Sequence, residues 1–413
     1  MLYYKKRMKE VKRLKANKTW NQHVVKVENK TLVLEKIIEH SPISRADIAG
    51  ITGLNKGTVS SLVNELIIEN LINESGPGKS SGGRRPVMLH FNQLAGYSVG
   101  IDLGVNYILG VLTDLNGNIC VEKQTGFTGL DYDEILMELF HIIDALIAAA
   151  PKSPYGIVGI GIGVPGIVNK ENDILLAPNL NWRNVHLKPA VEEKYGVPVI
   201  IENEANAGAY GEKKFGAGKT FDNIIYVSVG VGIGVGLILN GKLYRGNNGF
   251  SGELGHMTID VNGPTCECGN RGCWELYASE KFLLQEARSA GLKNGEEENN
   301  ASLQTIIELA KTGDAKALDV LDKAGRYLGV GINNIIHAFN PDLVIIGNRI
   351  ASAKTWLIPP IHQWIENQTL WFSQKDLKIS FSDLLAYSAA LGVAAFATEQ
   401  FIKSSLSDEA SAL

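Results

Sequence analysis

Long apolar runs are missing from this sequence. No stretch approaches the roughly 20 residues that a helix needs to cross a bilayer, and the first apolar residues are interrupted by Lys5, Lys6 and Arg7. Neither a membrane span nor a secretory leader is therefore expected. Cysteine is scarce, with four in 413 residues. Three of them, Cys266, Cys268 and Cys273, are packed together, and Cys120 lies far away. Pairing would leave one thiol of the three over, which argues against disulfides. Clustered free thiols fit a reducing cytoplasm. A strong net charge is missing too, but the overall −4 hides an asymmetry. Residues 1–90 carry 16 Lys+Arg against 8 Asp+Glu, and the remainder carries 24 against 36. A basic module on an acidic body is the charge pattern of a nucleic-acid-binding unit joined to something else. An incidental basic tail is the alternative, since the run from Lys5 to Lys18 supplies half of that positive charge.

The segment after this tail decides more. Leu32, Leu34, Ile37 and Ile38 predict a short amphipathic helix over 30–40. Ser44-Arg45-Ala46-Asp47 is a capping box that opens a second helix, to about Thr52. Gly53-Leu54-Asn55 is a tight turn, and Asn55 can cap a third helix over 56–70. In that helix Val59, Leu62, Val63 and Leu66 form one stripe for burial. The other face shows Lys56, Gly57, Thr58, Ser60, Ser61 and Asn64, small and polar residues with almost no acid. Two short helices joined by a turn, the second with such a face, predict a helix-turn-helix whose hydroxyls and amide reach base edges. A generic helical hairpin is the alternative. Residues 71–74 and 87–89 then read as strands flanking a Gly/Ser loop that carries Arg84 and Arg85. That is the wing of a winged helix, with the arginines suited to a narrow minor groove; the same composition also suits a linker.

The body repeats itself. Strands over 97–102, 108–114 and 119–124 form a meander with a turn at Gly104 and a hairpin at Asn116-Gly117. Strands over 224–229, 235–239 and 242–244 form another, with a glycine turn over 230–234 and a hairpin at Asn240-Gly241. Such duplication predicts two similar lobes with a cleft between them. Glu202-Asn203-Glu204-Ala205-Asn206 ends a strand and opens a helix, where its polar side chains can hold hydroxyls or merely cap. Gly252-Glu253-Leu254-Gly255-His256 precedes Cys266-Glu267-Cys268-Gly269-Asn270-Arg271-Gly272-Cys273-Trp274-Glu275. His256, Cys266, Cys268 and Cys273 make a closed tetrahedral donor set for a structural zinc; reduced cysteines without metal are the alternative. With Asn203, Glu204, Glu253 and Glu275 nearby, His256 belongs to an acid- and amide-rich pocket suited to a neutral sugar. Both glutamates as solvated loop charges remain the bland alternative.

These motifs together resemble the ROK family, of repressors, open reading frames and sugar kinases, over roughly residues 30–400. Within it the run Ser80-Ser-Gly-Gly-Arg-Arg-Pro-Val87, the run from Glu202 to Glu212 and the run from Phe250 to Ile259 resemble the bacterial repressors of xylose-utilisation operons. The resemblance implies an α/β chain: an N-terminal winged helix-turn-helix, then a two-lobed actin/hexokinase-like domain (ribonuclease H-like, duplicated). It implies sugar contacts at Asn203, Glu204, Glu253, His256 and Glu275, and zinc at His256, Cys266, Cys268 and Cys273. Where family kinases carry Asp-x-Gly-Gly-Thr, this chain has Asp102-Leu-Gly104-Val105-Asn106. Gly230-Val231-Gly232 lacks the hydroxyl of the second turn, Gly347-Asn348 replaces Gly-Gly, and Glu204 stands at the catalytic Asp position. Val105 also sits badly if that turn needs glycine torsions.

The expectation is thus a non-enzymatic, cytoplasmic repressor that binds a palindromic operator as a homodimer and is released by a neutral sugar, xylose. An ATP-dependent sugar kinase with an N-terminal extension is the alternative. The expected organisation is a basic extension over 1–28, the DNA-binding unit over 29–92, one lobe over 96–201 plus 387–405, and a second lobe with the zinc loop over 202–386. Residues 293–301 are expected to be an exposed insert, and 403–413 a frayed tail.

Overall fold

The computed structural model describes residues 22–77, 86–292 and 302–407. They fall into two compact units, one from the stretches 1–95 and 399–413, the other from 96–398. The charged stretch 1–18, the insert 293–301, the end of the tail, and Arg84 and Arg85 of the expected wing loop lie outside the described residues.

The first unit opens with helix α1 (Gln22–His40), which starts well before the expected 30 and takes in part of the supposed extension. Strand β1 (Ile43–Ser44) leads into α2 (Arg45–Thr52). Ser44 caps α2 by accepting from the backbone N–H of Asp47, whose carboxylate answers in return, so the expected capping box is formed. Gly53 ends α2 in the left-handed region. Asn55 accepts from the N–H of Thr58 at 2.8 Å and starts α3 (Lys56–Ile68). Val59, Leu62, Val63 and Leu66 are all buried, as their spacing requires. Lys56, Gly57, Ser61 and Asn64 are exposed, with Thr58 and Ser60 half-buried. Strands β2 (Ile72–Pro77) and β3 (Val87–Phe91) pair antiparallel, and β1 adds to the other edge of β3 through Ile43 and Leu89. Lys30 is buried, yet Glu65 and Glu69 meet its ammonium, so the charge is paired.

In the second unit the predicted repeat appears as two five-stranded sheets of one topology. Strands β4 (Tyr97–Leu103), β5 (Tyr107–Asp114) and β6 (Ile119–Gly126) form the first meander. Helix α4 (Tyr132–Ala148) follows, then β7 (Ile157–Val164), parallel to β4. A small antiparallel sheet of β8 (Ile167–Val168), β9 (Ile174–Ala177) and β10 (Trp182–Val185) was not anticipated. After α5 (Leu187–Tyr195), strand β11 (Val199–Asn203) joins β7 in parallel. The second sheet repeats the plan. Strands β12 (Ile224–Val229), β13 (Ile233–Leu239) and β14 (Lys242–Leu243) make the meander, and β15 (Leu343–Gly347) and β16 (Lys378–Phe381) add in parallel beside β12.

Two helices join the sheets. Helix α6 (Glu204–Phe215) lies on β12 and β13. The helix Tyr387–Ser407 packs on β4 and β7, where Gly100 and Gly161 face its backbone. The two helices then touch each other: a Cβ on Gly392 would come within 1.8 Å of the carbonyl of Ala207. The expected tail is helical to Ser407, and Leu406 is fully buried, so the chain does not fray at 403. Among the described residues, no helix is long and apolar enough to cross a membrane.

Candidate functional site

The Gly-Glu-Leu-Gly-His run folds tightly against β13. A Cβ on Gly255 would meet the carbonyl oxygen of Ile233 at 2.0 Å, so only glycine lets the run lie on that strand. The 3-10 turn Leu254–His256 then turns the His256 ring toward the cysteines. The cysteine loop is closed by bridges pairing Thr258 with Cys273 and Thr265 with Arg271. It is anchored by Trp274, fully buried, whose indole N–H donates to the carbonyl of Tyr327 at 2.7 Å.

His256, Cys266, Cys268 and Cys273 place one donor atom each within 4.8 Å of one another. Tetrahedral zinc with the usual bond lengths needs S···S separations of about 3.8 Å and S···N of about 3.6 Å. Cys268 and Cys273 have their sulfurs 3.7 Å apart, and Cys266 Sγ lies 3.6 Å from His256 Nδ1. The donor set and its spacing therefore fit a closed four-coordinate metal site. Burial pushes the thiols of Cys266 and Cys273 up from their ordinary values, so they must lose protons to take a cation. Because Nδ1 faces the thiols, Nε2 is the ring nitrogen left for another partner.

The carboxylates gather on this cluster. Glu275 Oε1 lies 3.3 Å from His256 Nδ1 and 3.1 Å from Cys266 Sγ. Glu253 opens toward solvent, but the surrounding protein raises its carboxyl, with His256 opposing and Glu275 adding to the shift. Glu275 Oε2 also sits beside Gly232, where an added Cβ would come within 2.7 Å. The other end of that glycine turn, Gly230, faces the amide of Asn348.

Asn348 ties in the remaining predicted residues. Its side chain donates to Glu204 Oε1 at 3.2 Å, and Ser228 donates to the same oxygen at 2.7 Å. Asn348 holds φ 65°, a positive value that favours glycine. Asn203 caps α6 by accepting from Asn206 N–H at 3.0 Å and donates to the carbonyl of Gly166 at 2.8 Å. The structure thus forms one group of Glu253, His256 and Glu275, and another of Asn203 and Glu204, with the turn over 230–232 between them.

Sequence reasoning missed the groups beside Glu204. Asp102, at the end of β4, is buried, and one of its oxygens has no hydrogen-bond partner among the described residues. Burial and the nearby charge of Glu204 raise its carboxyl well above the usual range, against the pull of the Tyr107 hydroxyl and Arg349. Glu204 is raised by burial too, with Ser228 and Asn348 opposing. The Tyr107 hydroxyl donates to Asp102 at 2.7 Å, and its ring covers Gly104, where an added Cβ would fall 2.1 Å away. Arg349 stacks on the same ring at 5.6 Å and reaches Glu280 at 3.1 Å. One expectation fails here: neither Gly104 nor Val105 is left-handed. The torsional objection to Val105 is therefore void, and this turn needs glycine because an aromatic ring lies on it.

The ROK family model matches residues 98–400. The chain belongs to the ROK family. Among ROK proteins, the xylose repressor of Bacillus subtilis (strain 168) is 48% identical over 385 residues, 92% of this chain and 98% of that protein. A crystal structure of a ROK family transcriptional regulator, homologous to the E. coli MLC protein, superposes with a TM-score of 0.78 at 32% identity, over 92% of this chain and 98% of that one. A ROK glucokinase from Streptomyces griseus, solved with glucose and AMPPNP, gives 0.68 at 29% identity, over 74% of this chain and 100% of that one. ROK kinase and ROK regulator thus differ in how much of this chain they cover.

Proposed function

We propose that this ROK protein is a xylose-responsive transcriptional repressor. The observation that carries it is the difference in coverage: the repressor and regulator matches span 92% of the chain, and the glucokinase, matched over its whole length, spans 74%. The surplus fits the N-terminal unit, whose α2, turn, α3 and paired strands have the order of a winged helix-turn-helix. On this reading α3 enters a major groove with Lys56, Gly57, Thr58, Ser60, Ser61 and Asn64. Arg84 and Arg85 reach a minor groove, and two copies bind a palindrome as a homodimer.

The inducer is a neutral sugar held by Asn203, Glu204, Glu253, His256 and Glu275. Ser228 and Asn348 both donate to Glu204 Oε1, which leaves Oε2 to accept from a sugar hydroxyl. His256, Cys266, Cys268 and Cys273 would hold zinc, whose part is to fix His256 and Glu275 in place, with no open position for catalysis. Kinase activity is not part of this proposal. Phosphoryl transfer rests on holding and neutralising the phosphates, and the first phosphate turn is covered by the Tyr107 ring.

The test is a gel shift of the purified protein on DNA from upstream of its own operon, with and without xylose. The expected result is a salt-sensitive complex that xylose dissociates. No complex, or one indifferent to every pentose and hexose tried, overturns the proposal; turnover in a coupled assay with ATP, magnesium and a sugar panel would favour the kinase.

A further inference from the structure

Asn64 is the one amide on the exposed face of α3, and an amide is ambiguous toward DNA. Its oxygen accepts and its nitrogen donates, so a free asparagine can take adenine at both N6 and N7. Here it is not free. Arg45 Nη2 lies 3.1 Å from the Asn64 side-chain oxygen and 2.8 Å from Glu74 Oε1. A guanidinium has only donors, so the Asn64 atom that faces it must be the carbonyl oxygen. Three elements share this contact: Arg45 begins α2, Asn64 lies on α3, and Glu74 lies on β2.

From this geometry we infer that Arg45 turns Asn64 into a donor-only reader, so that it bonds a base acceptor alone, at guanine O6 or N7, thymine O4 or adenine N7, and forgoes the bidentate contact with adenine N6 and N7. The inference rests on the helix-turn-helix reading of the first unit. The carbonyl keeps a second lone pair, but the cation beside it repels the partly positive amino group of adenine N6 or cytosine N4. With the oxygen on Arg45, the NH2 is the amide's remaining group for a base. Glu74 fixes the guanidinium without removing its charge from the groove, since the ion pair is partly exposed.

The experiment is selection of duplexes from a randomised library by the full-length protein, repeated with Asn64→Ala, Arg45→Met and Glu74→Gln. Asn64→Ala identifies the half-site position that Asn64 reads, by loss of preference there. At that position, replacing an adenine by purine, which lacks the N6 amino group, should leave wild-type binding within about two-fold. Arg45→Met, which keeps the stem and removes the cation, should raise A·T pairs relative to G·C pairs by about five-fold or more and make binding depend on the adenine N6 amino group. Glu74→Gln, which loosens the clamp and leaves the fold's apolar contacts alone, should shift it the same way by less. If Arg45→Met weakens all sequences equally, Arg45 merely contacts phosphate and the inference is wrong. It is equally wrong if removing the adenine N6 amino group there weakens wild-type binding by about five-fold or more. Failure of the wild type to enrich any sequence would instead defeat the DNA-binding proposal itself.

Discussion

Asp102 is a carboxylate where charge is disfavoured. Burial and Glu204 raise it, and the Tyr107 hydroxyl and Arg349 only partly offset this. A carboxyl raised in the folded state holds its proton where the unfolded chain has lost it. Folding stability from this group is therefore present below the unfolded value and falls as pH rises toward the folded one. Asp102→Asn keeps an oxygen for Tyr107 and cannot ionise. It should melt higher than wild type at pH 8, with the gap closing as pH falls toward the usual carboxylate range. Each unit of difference between folded and unfolded values is worth about 1.4 kcal/mol, so melting curves followed by circular dichroism across that range resolve it. A constant gap at all pH would show that Asp102 is not strained by its charge. Nothing in the sequence marked Tyr107 as its partner, because the hydrogen bond crosses the turn after β4 and depends on how that turn closes.

The zinc loop is the element on which sugar sensing depends in this proposal. Cys268 is exposed, whereas Cys266 and Cys273 are buried, so Cys268→Ser removes a ligand without opening a hole in the core. We expect the wild type to carry one zinc per chain by mass spectrometry and the variant to lose it, with at least a ten-fold higher xylose concentration needed for release and operator affinity changed far less. Unchanged xylose response in a metal-free variant would disconnect the loop from the sugar. The loop's membership was legible in the sequence because thiols and imidazole at short spacing have few other uses. The helices α2 and α3 were legible for a different reason: Ser44, Asp47 and Asn55 cap them by contacts within three or four residues. Strands β1 and β8–β10 were not, since two to four residues carry too little pattern. The early start of α1 was hidden by the charge-rich sequence around it.

At the scale of the whole molecule, release by xylose requires that the sugar bind two states of the protein unequally. To move a population from 1:99 to 99:1 takes about 5.5 kcal/mol of differential affinity. Linkage is reciprocal, so operator must weaken xylose binding by the same factor as xylose weakens operator binding. Titration calorimetry of xylose into free and operator-bound protein should give equal factors; a sugar affinity indifferent to DNA would rule out release by this route.

What the sequence determined by itself is local or periodic: the caps, the buried stripe of α3, the two meanders, and the gathering of four candidate metal donors. These follow from torsions, spacing and ligand chemistry that need only near neighbours. Tertiary structure alone decided which polar groups share an environment. It put Ser228 and Asn348, 24 and 144 residues away, on the Glu204 carboxylate, set Tyr107 over the first turn, and clamped Asn64 with Arg45. Such pairings arise where distant segments are packed together and buried polar groups must find partners, and no spacing along the chain records them.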